Sequence, residues 1–408
     1  MNLIALAVPF FLLSLIIEWV VDRVRDTGYY RGNDAINSLS AGILSESTGY
    51  FTKLLQYSIW AWVLANLALF EWQRDWFDAS PSGIALWVVA ALLWDFCYYW
   101  NHRLGHEISL LWAAHSVHHQ SEEYNLSTAL RQTSSGFLFG WIFYVPLFVL
   151  GIPADVLITV AAINLIYQFW VHTRHIGKLG VFDRILVTPS NHRVHHAQNE
   201  RYIDKNYGGI LVLWDRLFGT FAEEDDRDPV IFGVRKPLAN WNPLWANCQV
   251  YSYLWFDAVR TRRWRDKIGI WFRRTGWRPA DVAAAYPKQN SDLNEFEKYD
   301  PPISDGRRYY IYAQFAVAIG LSLFITETYA ELGGRAVLIP CLMLWVLLYT
   351  LGVLNDNRNY AGGFEALRLF VVVPLGLFAM QDLVPLSFNA GIIITVYILG
   401  SILWLRKS

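Results

Sequence analysis

Apolar runs long enough to cross a bilayer recur along this chain, and they decide what it can fold into. A transmembrane helix needs about 20 consecutive apolar residues. Such runs lie at roughly 3–21, 52–70, 83–100, 309–326, 336–354, 366–382 and 388–405. Apolar residues make up 54% of the chain and charged residues 17%, more apolar surface than a soluble core of this size can hide. The expected fold class is therefore all-α, a polytopic membrane helix bundle. The apolar stretch 137–171 is interrupted by Pro146, Gly151 and Pro153 and reads as a tight helical hairpin that crosses or re-enters. The first run lacks a basic leader and ends in Glu18 and Asp22 without a small-residue cleavage site, so it reads as a retained span.

Charge orients these runs. If residues 22–51, 101–136, 172–308, 355–365 and 406–408 are cytoplasmic, only Arg74 and Arg335 among the loop cations fall on the other side. The amino terminus is then outside and the carboxy terminus inside. Residues 172–308 form a polar cap with interfacial helices such as 250–275, where Trp255, Trp264 and Trp271 sit among Arg260, Arg262, Arg263, Arg265 and Lys267. Three segments are expected: a catalytic membrane domain at 1–222, an interfacial connector at 223–299, and a carboxy-terminal four-span domain at 300–408. A net charge of −1 gives no reason to expect a nucleic-acid partner.

The chemistry is concentrated in one window. All ten histidines fall between His102 and His196, in the groups His102-x3-His106, His115-x2-His118-His119, His172-x2-His175 and His192-x2-His195-His196. On a helix, positions i and i+4 lie about 40° apart, and an i, i+3, i+4 set covers about 100°, so each group presents one face. The two triads share a spacing, as two similar half-sites would. Pro189-Ser190-Asn191 reads as a helix start, with Ser190 or Asn191 as the cap. Imidazole is the commonest ligand for Fe, Zn, Cu and Ni. Structural zinc usually recruits thiolates, whereas Cys97, Cys248 and Cys341 are isolated. Eight to ten imidazoles suggest two ions with room for oxygen ligands. Residue type alone leaves the metal open. A redox pair at the mouth of a membrane bundle can reach a lipid chain, whose C–H bonds need activated O2. A histidine relay for metal transport is the other class of reading, but transport sites sit near the bilayer midplane, and these clusters lie beyond the span ends.

Ligating histidines usually donate their second N–H to a carboxylate or carbonyl. Asp95, Glu107, Asp204 and Asp215 are the candidates to support them, with Glu122, Glu123 and Asp183 nearby. Asp95 stands out because it interrupts an apolar span two turns before His102. Tyr124, Asn125 and Arg131 are candidates for binding a headgroup or a pterin. The chain has no G-x-G-x-x-G site, no cysteine cluster and no histidine outside the window for an internal haem, so electrons must come from an external donor.

The ordered pattern of His102, His106, His115, His118, His119, His192, His195 and His196 resembles the fatty acid hydroxylase superfamily, also called the sterol desaturase family. Within it, Trp170-Val171-His172-Thr173, Thr188 to His196, Tyr202 to Gly209 and Trp214 to Phe221 look like the alkylglycerol monooxygenase branch. The likeness covers about 85–222. Asn191 stands where relatives often carry another histidine, and His175 is not part of the motif. The resemblance implies a non-haem di-iron centre that uses O2 on a membrane lipid. In this branch it further implies cleavage of alkylglycerol ethers to aldehyde and glycerol lipid, with tetrahydrobiopterin as electron source. A sterol or fatty-acyl hydroxylase or desaturase would share the same ligands.

Overall fold

The computed structural model describes residues 3–288, 291–383 and 388–407. Among them no strand forms. Isolated bridges occur at Ile108–Arg274, Leu186–Leu211 and Ala197–Phe232. The chain divides into two compact units: residues 1–31, 52–237 and 247–296, and residues 32–51, 238–246 and 297–408.

In chain order the helices are α1 (Leu3–Arg25), α2 (Gly32–Leu67), α3 (Pro81–Glu107), α4 (Ser109–His119), α5 (Leu126–Ala129), α6 (Val145–Val149), α7 (Ala154–Trp170), α8 (Pro189–His195), α9 (Leu213–Leu217), α10 (Pro243–Arg260), α11 (Trp264–Phe272), α12 (Ala280–Ala285), α13 (Asp305–Leu332), α14 (Leu338–Asn355), α15 (Ala361–Leu367), α16 (Val373–Ala379) and α17 (Phe388–Lys407). Four helical segments are long and apolar enough to cross a membrane: 81–107, 305–332, 338–355 and 361–379. The runs at 3–21, 52–70 and 388–405 also fold as helix, within α1, α2 and α17, with 68–70 lying past the end of α2. Phe10 and Leu54 are 69% and 73% exposed, an arrangement suited to lipid and costly in water.

The first unit is built around α3. Ser80 caps its start by accepting from the Gly83 amide at 3.1 Å, and Pro81 supplies the pre-set φ of a first helical residue. Trp94 and Cys97 of α3 pack with Trp60, Tyr144, Phe148 and Leu157 in one buried cluster. The break expected in 137–171 falls at 150–153, between α6 and α7. Gly151 has φ +83°, and a Cβ there would lie 1.8 Å from the Phe70 carbonyl oxygen, so both backbone and space require glycine. One extended residue, Ile108, separates α3 from α4. The amide of Ser109 donates to Arg273 O and that of Thr275 to Glu107 O, each at 3.0 Å, which pins this corner. The expected interfacial helix at 250–275 is two helices, α10 and α11, broken at 261–263.

In the second unit, Ile36, Leu44, Phe315, Leu344, Leu348 and Leu351 belong to one core. Its buried polar groups satisfy one another: the Arg368 guanidinium donates to Glu365 at 2.6 and 2.7 Å and to Gln314 at 2.8 Å. Arg368 opens a π-helical turn, 368–372, joining α15 to α16.

Candidate metal centre

Nine of the ten histidines converge. His102, His106, His115, His119 and His195 form one set that could hold a metal ion, and His118, His172, His192 and His196 form another. Within each set the ligand nitrogens lie within 4.8 Å of one another. His175 joins neither. Its ring lies 5.0 Å from that of Tyr29.

The triads are shared between the sets rather than assigned one to each. His115 and His119 go to the first set and His118 to the second; His192 and His196 go to the second and His195 to the first. Helical geometry explains the exchange. Positions i and i+4 are about 40° apart and aim at one point, whereas i+3 and i+4 are about 100° apart and aim at two. The i+3 member of each triad therefore crosses to its partner's set. The stacked rings of His119 and His196, with centroids 4.3 Å apart, bring the two sets side by side.

The residues fit bound metal. His102 Nε2 lies 3.1 Å from His115 Nε2, which lies 3.0 Å from His119 Nε2. His172 Nε2 lies 3.2 Å from His118 Nε2 and 3.0 Å from His192 Nε2. Two nitrogens about 2.1 Å from one ion are roughly 3.0 Å apart at a right angle and roughly 3.4 Å apart at the tetrahedral angle. The observed spacings match neighbouring imidazoles that would meet one ion at about a right angle. The buried Nε2 atoms of His106, His195 and His196 have no hydrogen-bond partner among the described residues. Such orphaned groups are costly unless a ligand meets them.

Backbone carbonyls set the tautomers. Nδ1 of His102 donates to Tyr207 O at 2.8 Å, His118 to Arg131 O at 2.9 Å, His172 to Gln168 O at 2.8 Å and His195 to Lys205 O at 3.0 Å. Each bond leaves the Nε2 lone pair free for a metal. Burial, reinforced by neighbouring imidazoles, holds His115, His119, His192, His195 and His196 well below the usual histidine range. Burial also pushes His118 down to about 4. The rings are therefore neutral and able to ligate at physiological pH.

Of the four candidate supporting carboxylates, none bonds a histidine ring. Asp95 and Asp215 instead hold the loop that carries Tyr207. Asp95 accepts from the amides of Ile210 at 2.8 Å and Leu211 at 3.1 Å, from Trp214 Nε1 at 2.9 Å and from Asn164 Nδ2 at 3.0 Å. Asp215 accepts from the amides of Tyr207 at 2.7 Å and Gly208 at 2.8 Å and from the Thr220 hydroxyl at 2.7 Å. Glu107 pairs with Arg103, and Asp204 pairs with Arg274. Tyr124 hydrogen-bonds Val171 O at 2.9 Å and stacks on Phe232, while Asn125 caps α5. The Arg131 guanidinium is buried against Val117 O and Gln120. The α8 cap differs from expectation. Pro189 takes the first helical position and Thr188 the cap, while Ser190 bonds Glu224 and Asn191 donates to Asp183 O and Leu186 O.

Sequence reasoning did not single out the residues whose carbonyls orient the rings (Tyr207, Lys205 and Gln168), since a carbonyl is common to every residue. It also passed over a cavity of about 780 Å³ bordered by His106, His119 and His195, and by Trp112, Lys236 and Tyr253.

Residues 87–220 match the fatty acid hydroxylase family model. The chain is 35% identical to alkylglycerol monooxygenase of Homo sapiens over 390 residues, covering 93% of this chain and 84% of that one. It is 34% identical to alkylglycerol monooxygenase of Danio rerio, covering 98% and 88%. It is 31% identical to the ornithine lipid hydroxylase of Rhizobium tropici over 184 residues, 43% of this chain and 53% of that one. No solved structure matches. A helical membrane protein with this histidine centre is an oxygen-dependent lipid monooxygenase of the fatty acid hydroxylase class. Within that class, the chain belongs to the alkylglycerol monooxygenase family. Its histidine cluster is consistent with non-haem iron.

Proposed function

We propose that the nine converged histidines hold two iron ions, and that the chain uses O2 to hydroxylate the ether-bearing carbon of an alkylglycerol lipid. The resulting hemiacetal breaks to a fatty aldehyde and the glycerol lipid. The observation that carries this reading is the pair of imidazole sets with Nε2 spacings of 3.0–3.2 Å, in a chain that matches alkylglycerol monooxygenases over nearly its full length. Iron bound there would supply O2 activation, with one oxygen atom going into the C–H bond and the other to water, using two electrons and two protons from the donor. A tetrahydropterin is the proposed donor.

The chain's own residues contribute placement and charge. The carbonyls of Tyr207, Arg131, Gln168 and Lys205 hold the Nδ1 protons and aim Nε2 inward. Asp95 and Asp215 keep the Tyr207 loop in register, and so act on His102 through it. Burial keeps the rings neutral. The carbon beside an ether oxygen is the reactive one, because the oxygen lone pair stabilises the radical or cation formed there. The distribution of Lys and Arg supports a cytoplasmic placement of the centre.

The test incubates metal-loaded protein with labelled 1-O-alkylglycerol, O2 and a tetrahydropterin, and measures fatty aldehyde. Aldehyde formation dependent on all three components is expected. An intact ether, with oxygen gained by a sterol or acyl chain instead, would refute the assignment.

A further inference from the structure

The cavity of about 780 Å³ reaches the two histidine sets unequally. His106, His119 and His195 of the five-histidine set border it, and no member of the four-histidine set does. Its lining also carries Arg235, Lys236, Arg278 and Lys288. Asp257 engages two of these cations, Arg278 at 2.6 and 3.0 Å and Lys288 at 3.1 Å. The other acid on the lining, Asp204, is paired with Arg274 at 3.0 Å. One carboxylate thus faces four cations. The Lys236 ammonium sits 3.3 Å over the Tyr253 ring and forms no ion pair with a carboxylate among the described residues. Burial, with Arg278 close by, holds this lysine below its usual range, as expected where positive charge is in excess.

The helix that gives Tyr253 and Asp257 to the cavity, α10, exposes Trp255 and Val259. The next helix, α11, exposes Trp264, Ile268 and Phe272 at 77%, 63% and 66%. An apolar face flanked by arginines belongs at headgroup depth.

We propose that this cavity receives the polar end of the lipid and that Lys236, with Arg235, binds an anionic phosphate there. The adjoining carbons then lie against His106, His119 and His195. The proposal rests on the lipid-oxidising reading above and adds a specificity residue and a charge on the substrate. A neutral head would leave the cation excess uncompensated in a partly dry cavity.

The full-length, metal-loaded protein in phosphatidylcholine nanodiscs is given 1-O-hexadecylglycerol 3-phosphate or 1-O-hexadecylglycerol. Lipid retention is read by native mass spectrometry and ether loss by product analysis. We expect kcat/KM and retention to favour the phosphate-bearing lipid at least tenfold. Lys236→Gln should bring that ratio close to one, and Lys236→Arg should keep it. Because the readout is a ratio within one preparation, partial misfolding cancels. A wild-type ratio near one, or a ratio unchanged in Lys236→Gln, overturns the proposal. So does free glycerol 3-phosphate displacing the lipid as well as the phosphate-bearing lipid does, since the site would then take a soluble phosphate. Lys236-dependent retention with neither ether cleaved supports the subsite and refutes the ether-cleavage reading instead.

Discussion

Replacing Asp95 by Asn tests the link between the loop and the metal centre most directly. The two Asp95 oxygens each take two donors: Oδ1 those of Ile210 and Asn164, Oδ2 those of Leu211 and Trp214. An amide keeps one acceptor and turns the other into a donor. Whichever way it is oriented, two N–H groups lose their acceptor and face N–H instead. A hydrogen bond to a charged group contributes about 1.5–3 kcal/mol, and leaving its buried partner unmet costs about 1–3 kcal/mol. Leu211 and Trp214 are only partly buried, so the expected destabilisation is roughly 2–4 kcal/mol. It falls on the loop whose Tyr207 carbonyl holds His102. Asp95→Asn should therefore lower the thermal inactivation midpoint and reduce iron retention during purification, with His102 and its set still in place. Iron per chain and inactivation half-life, measured side by side with wild type, check this. Wild-type values for both would refute the view that Asp95 supports the centre through the loop.

His118→Ala removes one of four imidazoles and should bring iron to about one per chain, whereas His195→Ala leaves four in its set and should retain more metal; both should abolish oxygenation while inserting in the membrane, as read by metal analysis and turnover. Gly208→Ala should cost activity and stability together, because its Cβ would lie 2.4 Å from the Leu211 carbonyl oxygen, which cannot move aside cheaply; normal activity would refute the close approach. Metal-free protein should lose stability on acidification. Burial depresses His118 to about 4, so the stability from keeping it neutral is present above the unfolded value of about 6.5 and is lost as pH falls toward 4; an unfolding midpoint that rises over that window would contradict this. A carboxy-terminal reporter should be active only in the cytoplasm, and activity in the outer compartment would overturn the topology.

The sequence made the helical class and the histidine window legible because both rest on local patterns, hydropathy runs and short spacings. The exchange of triad members between sets was within reach of the same helical-wheel argument. It was missed because the arc of about 100° was read as one shared face and each triad as one half-site. The supporting groups were harder to see. Asp95 announced itself as a carboxylate in an apolar span, but its partners, the amides of Ile210 and Leu211, lie over a hundred residues away and carry no side-chain signal. The α8 cap was misplaced by two or three residues because Ser190 and Asn191 have tertiary partners, which overrode their capping preference. The cavity needs residues from 106 to 288 brought together, and no local pattern encodes that.

The crossing of the triads also makes the ions into cross-links. Metal in the five-histidine set would tie residue 102 to residue 195, and metal in the other would tie 118 to 196. Two overlapping loops of chain, each roughly eighty to a hundred residues long, would be closed at their ends in the way a disulfide closes one. Neither closure can form from one segment alone, since each set draws on α4 and on the α8 turn at once. Loading the first ion should therefore hold both helical turns in place for the second. Stripping either ion should loosen the same long stretch of chain, so that the span between the two helical turns is the part of the fold most sensitive to metal content.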